Sequence, residues 1–118
     1  MDSYTPNGKH IHMDFFNCKR KALTRPLQVR AMVHKATKLC RMTYRRANWF
    51  RYPDNSFSMT VYISESHISF STYPEHKYVG IEFFGCGDPD LKKFIRLMRR
   101  FFVPEWIKQE KIWTINFK

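Results

Sequence analysis

Between Met59 and Phe84 three β patterns follow one another with little chain between them. Met59 to Ile63 and Ile68 to Tyr73 are rich in β-branched and aromatic residues, separated by the polar run Ser64 to His67. Tyr78 to Phe84 repeats the pattern after a turn at Pro74 to Lys77. Connections this short join antiparallel neighbours, since a parallel crossover needs about a dozen residues or more. A sheet is therefore the centre of the fold. Lys9 to Phe16 adds a half-buried strand with Ile11, Met13 and Phe15 on one face, after a short lead over residues 1–8. Arg41 to Phe50 mixes β formers with cations and reads as a further strand, ending in a turn at Pro53, Asp54 and Asn55. Lys111 to Phe117 closes the set, alternating Ile112, Thr114 and Asn116 against Trp113, Ile115 and Phe117.

Two segments have helical spacing. Leu27 to Cys40 places Val29, Met32, Val33, Ala36, Leu39 and Cys40 on one stripe, with Pro26 in the first turn and Thr24 as the expected cap. Leu91 to Phe102 turns Leu91, Phe94, Ile95, Met98, Phe101 and Phe102 inward, and Asp88 or Asp90 is its expected cap. Asn17 to Arg25 reads as a basic connection. The order β-α-β-β-β-β-α-β predicts an α+β two-layer sandwich, a mostly antiparallel sheet with two helices on one face. Its 118 residues fit one domain spanning 1–118. Aromatics on both strand faces predict that the second sheet face is covered as well, by sheet-to-sheet pairing into an αββα homodimer.

Charge is unevenly spread. Lys plus Arg is 21 against 10 Asp plus Glu, and the stretch Lys19 to Arg51 holds cations and no acidic residue. With 43% hydrophobic and 17% aromatic residues this is no disordered basic tail. No apolar run approaches the ~20 residues of a membrane span, and no basic n-region precedes an apolar h-region at the start. Neither a membrane role nor secretion is expected. Cys18, Cys40 and Cys86 are odd in number and widely spaced, without a Cys-x-x-Cys pair, so neither a metal site nor a disulfide framework is predicted. A reducing cytoplasm is the expected location.

The residues that carry chemistry lie in the central hairpin. Ile63-Ser-Glu-Ser-His-Ile-Ser-Phe-Ser-Thr-Tyr-Pro-Glu75, followed by Tyr78-Val-Gly-Ile-Glu-Phe-Phe-Gly-Cys-Gly87, resembles the small prokaryotic S-adenosylmethionine decarboxylase proenzymes. That family shows a Ser-Glu-Ser-His run, then His-Thr-Trp-Pro-Glu, then Tyr-Ala-Ala-Val-Asp-x-Phe-Thr-Cys-Gly. Gly8-Lys9-His10-Ile11 and Asp14-Phe15-Phe16-Asn17-Cys18 resemble the family's opening strand. The similarity is densest over residues 58–87.

The resemblance implies self-cleavage between Glu65 and Ser66. A β chain of residues 1–65 and an α chain of residues 66–118 would result, with Ser66 converted to a pyruvoyl cofactor. Its ketone would form a Schiff base with S-adenosylmethionine and take up the electron pair left by carbon dioxide, giving the aminopropyl donor of spermidine synthesis. Cys86 matches the residue that returns a proton to the substrate carbon. Ser58 matches a serine that assists cleavage. Glu75 matches the acid that holds the ribose hydroxyls, and Tyr73 stands where the family has Trp, near the adenosine. Tyr73, Glu75, His67 and Tyr52 form the expected substrate-binding set, with Trp49 and Phe50 as other aromatics for the adenine.

Besides Tyr73, the chain departs from the family at two further places. Ser71 occupies the position of the histidine that removes the Ser66 α-proton during processing, and a hydroxyl without an activating partner is a poor base at neutral pH. Gly85 replaces the threonine before the catalytic cysteine. Three other readings stay open: an unprocessed, inactive homologue acting as a regulatory or binding subunit; a pyruvoyl decarboxylase for a basic amino acid such as ornithine or arginine; and nucleic-acid binding through the basic residues 19–51 with Tyr44, Trp49, Phe50 and Tyr52 interleaved.

Overall fold

The computed structural model describes residues 7–116, with side-chain surroundings for residues 8–108. Most of the expected lead, Phe117, and the side-chain alternation of the last strand lie outside those limits. Six strands form one sheet: β1 (Asn7–Phe16), β2 (Tyr44–Arg51), β3 (Phe57–Ile63), β4 (Ser66–Tyr73), β5 (Tyr78–Cys86) and β6 (Trp106–Asn116). The spatial order is β2-β3-β4-β5-β1-β6, and every pairing is antiparallel. Helices α1 (Arg20–Thr24), α2 (Pro26–Leu39) and α3 (Leu91–Phe102) cover one face. The predicted two-layer α+β architecture is the one observed.

Period-two alternation explains the layering. Ile11, Met13 and Phe15 on β1, Met59 and Val61 on β3, Ile68 and Phe70 on β4, and Val79, Ile81 and Phe83 on β5 all point toward the helices and are buried. Val29, Val33 and Ala36 of α2 and Phe94, Met98 and Phe102 of α3 meet them. The Phe102 ring packs edge-on to Phe15 and tilted against Phe70. The other side chains of each strand line an open face that no helix covers. It carries His10, His12 and Asp14 from β1, Ser69, Ser71 and Tyr73 from β4, and Glu82 and Phe84 from β5.

Several boundaries differ from expectation for local reasons. The basic connection contains α1, a single turn held because Ala22 and Leu23 are buried while its cations face out. Thr24 ends this helix, donating to the Arg20 carbonyl, and does not cap α2; Arg25 stands at that position without a side-chain cap. Asp90 caps α3 by accepting from the Lys93 N–H at 3.1 Å. The second strand begins at Tyr44 rather than Arg41. Arg41 has a left-handed backbone (φ 64) just past the end of α2, and the Met42 N–H bonds back to the Thr37 carbonyl. The last strand starts at Trp106, earlier than predicted, because it pairs with β1 from Phe16 onward and the two rings stack at 4.0 Å.

Candidate active site

The break between β3 and β4 is only the two-residue turn Ser64–Glu65, shorter than the polar run suggests, and the Ser64 N–H is tied to the Thr43 carbonyl. Ser66 is the first residue of β4, opposite Ile63 on one side and Gly85 on the other. The Glu65–Ser66 bond therefore joins a tight turn to a fixed strand.

Cys86 contacts both residues that flank that bond. The Cys86 N–H donates to Ser66 Oγ at 3.3 Å. The Cys86 thiol lies 3.9 Å from the Glu65 carbonyl oxygen and 3.6 Å from Glu65 Oε1, within reach of a weak sulfur hydrogen bond. Gly85 makes the arrangement possible. A Cβ at that position would overlap Ser66 Oγ and Cβ and come within 3.0 Å of Ser66 Cα. Glycine thus stands at the position where the Ser66 side chain folds over the neighbouring strand. Gly87, with φ 92, then reverses the backbone toward α3. A cleft of about 160 Å³ opens here, lined by Ser66, Glu65 and Cys86 and by the loop residues Arg41, Thr43 and Asp88. Arg41 Nε donates to the Asp88 carbonyl at 3.2 Å and closes one side.

Of the three thiols only Cys86 is partly exposed. Cys18 and Cys40 are buried, and burial pushes the Cys18 pKa up to about 12 and raises that of Cys40 as well, helped there by the Asp90 carboxylate. Both stay protonated in neutral solution and behave as core side chains. Brief iodoacetamide treatment of the native protein at pH 8 is expected to label Cys86 alone, with Cys18 and Cys40 reacting only after denaturation. Peptide mapping checks this; early labelling of Cys18 would contradict the burial.

The remaining predicted site residues sit elsewhere. Ser58 pairs with Ser71 across β3 and β4, and Ser58 Oγ lies 3.2 Å from the Tyr52 hydroxyl. Tyr52, Ser58, Ser71 and Tyr73 line a second depression of about 410 Å³. Phe50 lies opposite Ser58 and packs edge-on to Tyr52, whereas Trp49 belongs to the other face of β2, under the Arg30 guanidinium. Glu75 is exposed in the 3-10 turn Pro74–His76 that follows. Ser71 is five residues from Ser66, roughly 17 Å along an extended strand, and on the opposite sheet face. His67 also turns to the open face, its ring 5.8 Å from that of Phe84. Within one chain, then, the structure unites Glu65, Ser66 and Cys86, and separates them from the group at the far end of the hairpin.

A polar cluster on the open face was not singled out from the sequence. His12 bonds to Asp14 at 3.0 Å and lies 3.7 Å from Glu82, His10 lies 3.4 Å from Glu82, and the Tyr78 hydroxyl donates to Asp14. The alternation His10-x-His12-x-Asp14 is its signal on β1, but Glu82 joins only through the pairing with β5.

A sequence model of the S-adenosylmethionine decarboxylase family matches residues 9–114. The chain belongs to that family. Among similar proteins, the S-adenosylmethionine decarboxylase proenzyme of Methanococcus maripaludis is 29% identical over 97 residues, covering 75% of this chain and 80% of its own length. The proenzyme of Thermoplasma volcanium is 30% identical over 82 residues, 70% of this chain and 63% of the relative. The crystal structure of the adenosylmethionine decarboxylase from Aquifex aeolicus superposes with a TM-score of 0.85 over 98% of this chain and 95% of that one. At 20% identity that likeness carries the fold. The resemblance read from the hairpin motifs and the α+β architecture are both borne out.

Proposed function

We propose that the chain is a self-cleaving proenzyme that becomes a pyruvoyl-dependent S-adenosylmethionine decarboxylase. The observation that carries this reading is the seating of Cys86 against both sides of the Glu65–Ser66 bond, its N–H on the Ser66 hydroxyl and its thiol near the Glu65 carbonyl oxygen. In the first step Ser66 Oγ attacks the Glu65 carbonyl carbon. The C–N bond breaks, an ester forms, and the freed amine stays on Ser66. The Cys86 thiol, facing the Glu65 carbonyl oxygen, is placed to stabilise charge developing there. Loss of the Ser66 α-proton then expels the Glu65 carboxylate, and hydrolysis with loss of ammonia leaves a ketone at position 66. The strand end fits that group: Gly85 leaves open the space over which the residue-66 side chain lies. The ketone supplies an electron sink as the substrate loses carbon dioxide. Cys86 then delivers a proton to the substrate carbon. Cys86→Ala is expected to slow carbon dioxide release by about 10²-fold or more, the scale of a positioned acid. Carboxyl-labelled S-adenosylmethionine measures it, and a wild-type rate in that variant would refute the assignment.

Ser58, Ser71, Tyr52, Tyr73 and Glu75 serve this site when a second copy brings them. The open face exposes Phe50, Tyr73, Phe84 and Trp106, at 62%, 53%, 40% and 55%. So large an aromatic surface calls for a partner, and a second identical sheet supplies one in an αββα homodimer. Three free thiols suit a reducing cytoplasm. Among the described residues no helix is long and apolar enough to cross a membrane.

An unprocessed homologue is the second reading, favoured by Ser71. Its side chain is exposed, and the neighbouring Ser58 hydroxyl is engaged with Tyr52. Ser71→His is expected to speed cleavage by about tenfold or more, because an imidazole titrates near neutral pH. Cleavage time courses on denaturing gels report it; an unchanged rate would place proton removal on another group.

A further inference from the structure

We propose that the outer helical face is a docking surface for an acidic amphipathic segment of another protein, seated between α2 and α3. Met32, Ala36 and Leu39 lie at i, i+4 and i+7 on α2, and Leu97 and Phe101 at i and i+4 on α3. Together these five line an apolar groove of about 260 Å³. Leu39 was expected in the core, yet it is 50% exposed at the groove. Lys35 and Arg100 stand at its rim. Beyond them the three helices carry Arg20, Lys21, Arg30, Lys38, Lys92, Lys93, Arg96 and Arg99, and not one Asp or Glu. Among the described residues, none of these helix cations takes part in a salt bridge.

Charge selects the occupant. A second copy would meet this face with the same positive charge and be repelled. A nucleic acid would satisfy the cations but leave the apolar floor unfilled, because phosphates and sugars have nothing to seat there. A membrane surface would require several protruding apolar side chains, whereas in the groove Leu39 alone is exposed, Met32, Leu97 and Phe101 being half-buried and Ala36 buried. A helix with aliphatic residues on one face and carboxylates flanking them matches both the groove and its rim. The surface lies on the side of the sheet opposite the open face, so it is equally accessible in a sheet-to-sheet dimer, and it does not depend on the reaction proposed above.

The test uses the full chain and a synthetic peptide of about 18 residues, with leucine at i, i+3, i+4 and i+7 and glutamate between. Calorimetric titration is expected to show saturable binding, weakened about tenfold or more by Leu39→Glu. A peptide of equal composition in scrambled order should not bind. The rim reversal Lys35→Glu with Arg100→Glu, confined to surface residues, should shift preference to a version of the peptide with lysine in place of glutamate. Equal binding of the scrambled peptide would overturn the proposal. So would failure of the amphipathic peptide to bind, whether or not phosphatidylglycerol vesicles or a single-stranded oligonucleotide bind in its place. The cleavage state of the protein, followed in the same samples, is expected not to change.

Discussion

Ser66→Ala is expected to leave the chain whole and release no carbon dioxide from S-adenosylmethionine. Cleavage needs a nucleophile attached to the residue that follows the scissile bond, and Ser66 alone meets that condition. Ser64 and Ser69 are near in sequence, but Ser64 lies in the turn before Glu65, and Ser69 is three residues along β4 on the open face. The substitution removes one oxygen from a partly buried position and leaves the Ile63 and Gly85 pairings in place. Its cost to stability is the lost bond from the Cys86 N–H, about 1 kcal/mol. Loss of processing in a protein that melts near the wild-type temperature separates chemistry from folding. A cleaved Ser66→Ala protein would contradict the mechanism at its first step.

Gly85→Ala is expected to act at the same place by a different route. The added methyl group must overlap the Ser66 side chain and press on its Cα, which the β4–β5 ladder holds in register. Neither strand can yield without losing hydrogen bonds, so overpacking should cost about 1–3 kcal/mol and displace the nucleophile from the Glu65 carbonyl. Cleavage is expected to fall by about 10²-fold, as small misplacements of reacting groups do. Pairing the change with Ser66→Gly separates the two effects. The double variant should regain most of the lost stability, with a coupling of about 1 kcal/mol or more, while remaining uncleaved. Denaturant melts measure the first and denaturing gels the second. A Gly85→Ala protein as stable and as readily cleaved as wild type would show that the close approach of Gly85 to Ser66 has no role.

Much of this architecture could be read from local pattern. Strands such as Phe57–Ile63 and Tyr78–Cys86 declare themselves through period-two alternation, and α3 through its apolar stripe. What escaped reading depends on distant partners. One turn of helix at Arg20–Thr24 exists because Ala22 and Leu23 reach a core built from other segments. Trp106 is extended because Phe16 waits beside it. The site divides in the same way. Ser66, Cys86 and Glu75 were found through family motifs, and composition alone would not have distinguished them. The necessity of glycine at Gly85 required knowing which residue faces Ser66 across the sheet. The separation of Ser71 from Ser66 was latent in their odd spacing, which puts them on opposite faces of one strand. The full meaning of the charge excess required seeing α1, α2 and α3 share one outer layer.

Intact-mass measurement of the purified, unmodified protein tests the central claim most directly. The account predicts two species, residues 1–65 ending in the free carboxylate of Glu65 and residues 66–118 whose first residue is a ketone and therefore resists Edman degradation. A single chain of 118 residues that persists on long incubation would contradict it.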